Sequence, residues 1–146
     1  MSAEVLIRAT TPQDFEAVHR LLQQLWPEKK LDKNRIKAVY EEGLKSEAVR
    51  FLCAEVEGEV VGFCSFCRML SFWQEGYIGY IPELIVDEHH RGRGIGRALL
   101  ASMAEAAREM ECKLMELDSG FHRERAHRFY ERIGFAKRAY MFSKEL

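Results

Sequence analysis

One stretch of the sequence decides the fold: Leu84-Ile85-Val86-Asp87-Glu88-His89-His90-Arg91-Gly92-Arg93-Gly94-Ile95-Gly96-Arg97. An apolar run, a glycine-rich turn and apolar residues at helical spacing follow one another, which predicts a buried strand, a loop and a helix. Glycines lack a Cβ atom, so backbone N–H groups can close around an anion at the positive N-terminus of the helix. Three arginines, Arg91, Arg93 and Arg97, add full charges. The stretch therefore predicts a site for a di- or polyphosphate.

Two common phosphate-binding motifs do not match this loop. The sequence has no G-x-x-x-x-G-K-[ST], which excludes a P-loop. A dinucleotide fingerprint needs G-x-G-x-x-G, and Gly92-x-Gly94-x-Gly96 has the wrong last interval. The alternative is a turn that only connects strand to helix. It is disfavoured because three clustered arginines repel one another when no anion is near.

Size and composition indicate a soluble protein with a single domain, residues 1–146. The chain has 146 residues, of which 47% are apolar and 31% charged, enough for both a core and a solvated surface. Its 22 basic and 23 acidic residues give a net charge of −1, without the basic excess of a nucleic-acid binder. No apolar run is long enough to cross a bilayer, and Glu4 and Arg8 interrupt the N-terminus where a secretory signal would be apolar. We expect a cytoplasmic location, with no nucleic-acid or membrane partner.

The cysteines agree with a reducing compartment and are expected to be structural. All four lie in apolar segments, where free thiols behave as small hydrophobes. Cys64 and Cys67 form a C-x-x-C string, but residues three apart on a strand point to opposite faces. No second pair of ligands completes a zinc set, so we expect no metal site.

The element pattern β-α-α-β-β-β-α-β-α-β predicts a mixed α/β domain built on one sheet with about four helices. The first helix is expected to begin after Thr11, the second at Asp32, and the last to run from about Arg123 to Ile133. The strand from about Tyr77 to Val86 contains Pro82, which predicts a break or bulge there. The tail, 135–142, alternates enough to predict one or two closing strands.

Two segments resemble the signatures of the GNAT superfamily of N-acetyltransferases. Arg91-Gly92-Arg93-Gly94-Ile95-Gly96 fits its acyl-CoA signature, R/Q-x-x-G-x-G/A, and Ala126-His127-Arg128-Phe129-Tyr130-Glu131-Arg132-Ile133-Gly134-Phe135 resembles its A-x-x-F-Y-x-x-x-G-F segment. The element order agrees over essentially the whole chain. The segment L-D-S-G-F-H-R-E-R-A-H-R-F-Y is most similar to the small aminoalkylphosphonate N-acetyltransferases and, more loosely, to the aminoglycoside 6′-N-acetyltransferases.

The resemblance implies a GNAT fold, a mixed central sheet splayed at a bulged fourth strand. It also implies an enzyme that transfers an acetyl group from acetyl-CoA to the primary amine of a small molecule by direct attack. The implied cofactor-binding residues are Leu84, Ile85 and Val86 for the pantetheine arm, and Arg91, Gly92, Arg93, Gly94, Ile95, Gly96 and Arg97 for the pyrophosphate. Many members carry Asn where this chain has Arg123, so that contact to the pantetheine arm is not implied here.

Two side chains are candidates for proton transfer. An alkyl amine with a pKa of ~10.4 is almost fully protonated at pH 7 and must lose a proton before it attacks. Glu83, beside the expected bulge, is the candidate base, acting directly or through a water; the alternative is a carboxylate that only orients substrate or pairs with an arginine. The resemblance makes Tyr130 the candidate acid toward the CoA thiolate, and its alternative is core packing beside Phe129.

The acceptor pocket is expected to be formed by the first two helices, their joining loop and the segment Ser71-Phe72-Trp73-Gln74-Glu75. The loop carries lysines that suit a phosphonate and acids that suit a polyamine, and its composition does not decide between them. Two other functions stay open, a protein or peptide N-acetyltransferase and a non-catalytic acyl-CoA-binding regulatory module. Dimers are common among relatives, so a homodimer is also left open.

Overall fold

The computed structural model describes residues 3–146, which form two compact units. The first unit reaches to Glu116, and the second is Leu117–Leu146. None of the helices within residues 3–146 has the length and apolar character that crossing a bilayer requires.

The first unit is built around a six-stranded mixed sheet. Its strands are β1 (Val5–Ala9), β2 (Val49–Val56), β3 (Glu59–Ser71), β4 (Gly76–Ile81), β5 (Leu84–Val86) and β6 (Cys112–Leu117). Their order is β1-β2-β3-β4-β6, with β5 paired to β3. The pairs β1–β2, β2–β3, β3–β4 and β3–β5 are antiparallel. Positive φ angles at Glu57 (51°) and Gly58 (79°) form the tight turn of the β2–β3 hairpin.

The break predicted at Pro82, within the expected strand from Tyr77 to Val86, is confirmed: the structure has two strands there, β4 and β5. β4 and β5 pair with the same strand, β3, on either side of the break. Tyr80 lies opposite Cys67, and Leu84 lies opposite Cys64. Between these pairs, the three residues 81–83 face the two residues 65 and 66 of β3. One extra residue is therefore inserted, because proline cannot donate to the ladder and a bulge accommodates it.

Four α-helices accompany the sheet, as expected from the sequence: α1 (Phe15–Leu25), α2 (Lys33–Lys45), α3 (Ile95–Glu109) and α4 (Glu124–Arg132). A 3₁₀ turn, Pro12–Asp14, leads into α1 after Thr11, as predicted, and Thr11 and Asp14 form a capping box. Arg8 holds the buried Asp14 with two hydrogen bonds of 2.8 and 2.9 Å, which lower the pKa of that carboxyl to about 2. The start of α1 is thus fixed to β1 by a paired charge.

The buried residues of the first unit pack on both faces of the sheet: Phe63 of β3 lies in the cluster around Val18 and Leu21 of α1, whereas the adjacent Gly62 approaches Leu99 of α3. Val18 and Leu21 of α1 and Leu99 and Met103 of α3 are almost fully buried, together with Phe66 of β3. Apolar residues at helical spacing on both helices meet the alternating residues of the strands.

The predicted closing strands at 135–142 are wrong: no strand is assigned after β6 among residues 3–146. Tyr140, Met141 and Phe142 are exposed. Alternation of apolar residues favours an extended backbone, but a strand also needs a hydrogen-bonded neighbour, which a single-sequence pattern cannot supply.

Candidate functional site

The glycine loop leads directly into the N-terminus of α3. Gly92 and Gly94 both have a φ of +77°, a backbone conformation that favours glycine, and a Cβ atom at either would meet no atom within 4 Å. Gly94 is the N-cap residue of α3, and no side chain caps the helix. Ile95, Gly96 and Arg97 belong to the first helical turn. The first N–H groups of a helix have no partner within it, so this turn offers donors to an anion.

The charged residues of the loop lie at its surface. Arg91, Arg93 and Arg97 are exposed. The Nε atom of Arg91 donates to the backbone oxygen of Val86 at 3.1 Å, so this arginine is folded back toward the end of β5. The side chain of Ile95 is 2% exposed and belongs to the core, which leaves only its backbone available to a ligand.

β5 presents one edge that no other strand covers. Within residues 3–146, β5 pairs with β3 alone, whereas β6 pairs with β4. The backbone N–H of Ser65 donates to the oxygen of Glu83 at 2.9 Å, and that of Asp87 donates to the oxygen of Val61 at 2.8 Å. Because alternate residues of a strand direct their backbone groups to opposite edges, Leu84 and Val86 direct theirs away from β3. These are two of the three residues predicted to contact the pantetheine arm.

Glu83 is held by the strand break itself. Its backbone N–H donates to the Oγ atom of Ser65 at 2.9 Å, and that hydroxyl donates to Oε1 of Glu83 at 2.6 Å. The side chain of Glu83 is half-buried. The Ser65 hydroxyl therefore fixes both the main chain and the carboxylate at the extra residue of the fourth strand.

A cavity of about 460 Å³ opens beside Glu83 within the first unit. Its walls come from α1, α2, β2, β3 and the strand break. The lining residues are Val18, Leu22, Trp26, Ile36, Val39, Tyr40, Glu42, Gly43, Ser46, Val49, Phe51, Phe63, Ser65, Phe66, Cys67, Pro82 and Glu83. The contribution of the first two helices agrees with the expected acceptor pocket. The segment 71–75 does not line this cavity, since it forms the turn of the β3–β4 hairpin, where Trp73 is 83% exposed.

Asp87 connects the end of β5 to α1 and to the start of the loop. Its carboxylate accepts hydrogen bonds from Nε2 of Gln24 (2.9 Å) and the backbone N–H of His89 (3.1 Å), and it lies 2.9 Å from Nδ1 of His90. Gln24 also accepts from the backbone N–H of Glu88 at 3.0 Å. Burial alone would raise the pKa of Asp87, but the hydrogen bonds outweigh it and lower the pKa to about 2. The carboxylate stays charged and holds the chain that precedes the glycine loop.

The second signature lies in the second unit, on α4 and the turn after it. Tyr130 is half-buried, and its ring lies 5.3 Å from that of Phe129 and 5.8 Å, edge-on, from that of Phe135. Gly134 has a φ of +101° and ends the helix, as the sequence predicted. Arg123 is the N-cap residue of α4, and its side chain makes no capping hydrogen bond.

The four cysteines are free thiols. Cys53 and Cys64 are fully buried, and burial raises the pKa of Cys53 to about 11 and that of Cys64 further. These two thiols are therefore protonated and shielded at neutral pH, which agrees with the structural role expected of them. In the part of the chain that the structure describes, no cluster of His, Cys, Asp or Glu side chains could hold a metal ion.

Sequence reasoning missed Ser65 and the role of Asp87. Ser65 stands inside an apolar strand, and only the register of β3 against the break brings it to Glu83. Asp87 stood within the deciding stretch, and an Asp directly after a strand was a usable signal for a capping residue. Its partner Gln24 is 63 positions away and gave no signal.

Comparison with known sequences agrees with this geometry. Residues 15–135 match the acetyltransferase (GNAT) family. The chain is 34% identical over 140 residues to the aminoalkylphosphonate N-acetyltransferase of Salmonella typhimurium, covering 96% of this chain and 90% of that protein. It is 29% identical over 133 residues to aminoglycoside N(6′)-acetyltransferase type 1 of Stenotrophomonas maltophilia, covering 88% of this chain and 84% of that protein.

Solved structures share the fold. An aminoglycoside N-acetyltransferase in complex with CoA superposes with a TM-score of 0.88 at 19% identity, covering 100% of this chain and 98% of that one. A transcriptional regulator from Bacillus halodurans C-125 gives a TM-score of 0.89 at 24% identity, covering 98% of this chain and 100% of that one. Members of the family use acetyl-CoA. The chain belongs to the GNAT family, and it is an acetyltransferase that takes its acetyl group from acetyl-CoA.

Proposed function

We propose that this enzyme transfers the acetyl group of acetyl-CoA to the primary amine of a small molecule by direct attack. The observation that carries the proposal is the position of the Glu83 carboxylate, held by Ser65 at the strand break and facing a 460 Å³ cavity. The chain is similar to an aminoalkylphosphonate and an aminoglycoside acetyltransferase. The names of these relatives indicate small amine substrates, which supports an acceptor of similar size here.

The glycine loop fits the pyrophosphate of acetyl-CoA. Backbone N–H groups from Arg93 to Arg97 would bind its oxygens, because the two glycines leave room for close approach and α3 has no side-chain cap. The exposed arginines at 91, 93 and 97 add charge around this point. Asp87 would keep the loop in place, since it ties the end of β5 to Gln24 of α1.

The uncovered edge of β5 fits the amide groups of the pantetheine arm. Leu84 and Val86 would pair with them as a strand pairs with its neighbour, while Ile85 keeps its hydrogen bonds to β3. The N–H groups of Leu84 and Val86 would donate to the arm. The oxygen of Val86 already accepts a hydrogen bond from Arg91. When bound, acetyl-CoA supplies a thioester whose acetyl group is transferred to the amine nitrogen.

Glu83 would take the proton of the attacking amine, directly or through a water. At pH 7 fewer than about one alkyl amine in a thousand is neutral, so a nearby base has a large effect on rate. The carboxylate lines the cavity in which the amine would lie, and Ser65 holds it in one orientation. One ammonium proton would pass to the Glu83 carboxylate and on to solvent, which leaves a neutral amine. An N–C bond would then form as the C–S bond breaks, and the second proton of the nitrogen would leave on the same carboxylate.

Tyr130 would give its phenolic proton to the departing sulfur. This role comes from the match of residues 126–135 to the second family signature. The ring contacts with Phe129 and Phe135 hold the side chain by its apolar part. The hydroxyl can therefore be removed without removing the packing.

Residues 1–146 would act as one domain, because the family match runs from residue 15 to residue 135 and crosses the boundary between the two units. A peptide N-acetyltransferase and a non-catalytic acyl-CoA-binding module remain the competing functions. Release of CoA with a small amine but not with short peptides supports the proposal. Binding of acetyl-CoA without release of CoA in the presence of any amine contradicts it. A cytoplasmic location and a homodimer stay predictions.

The assignment of the glycine loop predicts that Gly94→Val abolishes acetyl-CoA binding. A side chain at this position blocks the approach of the pyrophosphate and strains a backbone with a φ of +77°, at a cost of about 1–2 kcal/mol. Isothermal titration calorimetry with acetyl-CoA measures the loss. Gly58→Val is the matched control, because Gly58 has a φ of +79° and equally open surroundings in the β2–β3 turn. Unchanged affinity in Gly94→Val, or equal losses in both variants, contradicts the assignment.

The role of Glu83 predicts a changed pH profile. Glu83→Gln keeps the shape of the side chain but removes its ability to take a proton. We expect a loss of activity that is partly recovered as pH rises, because more of the acceptor amine is then neutral. Steady-state kinetics over about three pH units around neutrality provide the test. Glu41→Gln, an exposed carboxylate of α2 outside the cavity, is expected to behave as the wild type. Parallel profiles for Glu83→Gln and the wild type would exclude Glu83 as the base.

The role of Tyr130 predicts that Tyr130→Phe lowers kcat by about 10²-fold while leaving acetyl-CoA affinity nearly unchanged. The substitution removes one hydroxyl and keeps the ring that contacts Phe129 and Phe135. Tyr140→Phe removes a hydroxyl from an exposed tyrosine of the same unit and should leave kcat unchanged. A wild-type kcat for Tyr130→Phe would reduce Tyr130 to a packing residue.

A further inference from the structure

Phe51 of β2 borders two cavities of the first unit. The cavity of about 460 Å³ beside Glu83 has a smaller neighbour of about 160 Å³, which lies by the end of β1, the C-terminal end of α2 and the start of β2. Four residues line both cavities: Gly43, Ser46, Val49 and Phe51. Phe51 has the largest side chain of the four, so its ring is the main side chain between the two spaces.

The Phe51 ring is held by three neighbours. It stacks on the ring of Tyr40, with centroids 5.5 Å apart and planes inclined by 6°, and it lies 5.6 Å from the ring of Phe63. Tyr40 is 4% exposed, and its hydroxyl donates to the backbone oxygen of Thr11 at 2.6 Å. The third neighbour is Gly43 of α2, where a Cβ atom would lie 2.5 Å from Cε2 of the ring and closer still to Cζ. The ring therefore fits here because residue 43 has no side chain.

The register of the sheet places Phe51 two strands away from Glu83. Phe51 lies opposite Ser65 of β3, so their side chains share one face of the sheet. Ser65 in turn bonds both the backbone and the carboxylate of Glu83. The backbones of Phe51 and Glu83 are thus two strand spacings apart, about 10 Å across the sheet. An acceptor with its amine at Glu83 and its remainder extending toward β2 would meet the Phe51 ring.

We propose that Phe51, kept in place by Gly43, limits the length of the acceptor amine and is a specificity-determining residue of this enzyme. The inference rests on the proposed function, because it takes Glu83 as the end of the cavity at which the amine reacts. The ring closes off the smaller cavity, and that space becomes available to an acceptor when the outer atoms of the ring are removed. The limit is steric, so it applies whatever charge the far end of the acceptor carries.

Acceptor length, varied within three classes of amine, tests this limit. Unbranched alkyl amines, α,ω-diamines and ω-aminoalkylphosphonates with ethyl to octyl chains differ in the charge at their far end and match in length. In each class that the wild type accepts, we expect kcat/KM, measured as release of CoA, to fall sharply beyond one chain length. Phe51→Leu should raise kcat/KM of the first excluded amine by about tenfold or more, the usual effect of one methylene that a pocket does not fit. The ethyl member should change little.

Phe15→Leu is the matched control. The Phe15 ring lies 5.6 Å from that of Tyr40, is 5% exposed and lines neither cavity. Its replacement removes the same ring atoms beside the same tyrosine, so it should lower the melting temperature without moving the length limit. Thermal unfolding of both leucine variants separates lost packing from altered selectivity.

Gly43→Ala tests the position of the ring without shortening it. Gly43 lies within α2 and has no positive φ, so alanine suits the helix, and its methyl group would meet Cε2 and Cζ of Phe51. We expect a severalfold change in the ratio of kcat/KM for the longest accepted amine to that for the ethyl member. In the Phe51→Leu background the same substitution should hardly change the ratio, because leucine lacks those two ring atoms.

The outcomes separate the length limit from the function. An unchanged limit in Phe51→Leu, an equal shift in Phe15→Leu, or the same effect of Gly43→Ala in both backgrounds overturns the inference and leaves small-molecule acetylation standing. The absence of any length limit in the wild type does the same. Release of CoA with none of the amines contradicts the proposed function and the length limit together. If Phe51→Leu does not fold, Gly43→Ala decides alone: a changed ratio supports the limit, and an unchanged ratio overturns it.

Discussion

The extra residue at Pro82 and Glu83 is the constraint on which the rest of the site depends. Proline removes one donor from the ladder, and the three residues 81–83 of the fourth strand face two of β3. This break separates β4, which pairs with both β3 and β6, from β5, which pairs with β3 alone within residues 3–146. It creates an uncovered backbone edge, the proposed site of the pantetheine arm, and places a carboxylate beside the cavity proposed for the amine.

Two hydrogen-bonded groups stabilise this irregular region. Ser65 bonds both the backbone and the carboxylate of Glu83, which offsets the interruption of the β-ladder at the bulge. Asp87 bonds Gln24 of α1 and the chain before the glycine loop, and the same hydrogen bonds lower its pKa to about 2. The edge of β5, the Glu83 carboxylate and the start of the glycine loop are therefore positioned by hydrogen bonds of one short segment, residues 82–87, to partners on β3 and α1.

The sequence predicted most of what local chemistry determines. Proline at 82 specifies a strand break, the glycines at 92 and 94 a tight loop, and Thr11 the start of a helix, and all three features are confirmed. The pairing of Ser65 with Glu83 and of Gln24 with Asp87 depends on register and helix packing across 18 and 63 positions, which one sequence does not reveal. For the same reason, alternation at 135–142 suggested strands that are not present. The cavity beside Glu83 likewise depends on the packing of α1 and α2 against the sheet, which one sequence does not reveal.

Amide hydrogen exchange at Leu84 and Val86 tests most directly whether the strand break exposes the backbone that binds acetyl-CoA. In the free protein these two N–H groups point away from β3 and should exchange much faster than that of Ile85, which bonds to β3. Saturation with acetyl-CoA should slow exchange at Leu84 and Val86 and leave Ile85 nearly unchanged. If both N–H groups exchange at the same rate with and without bound acetyl-CoA, β5 does not hold the pantetheine arm, and the account of the site is contradicted.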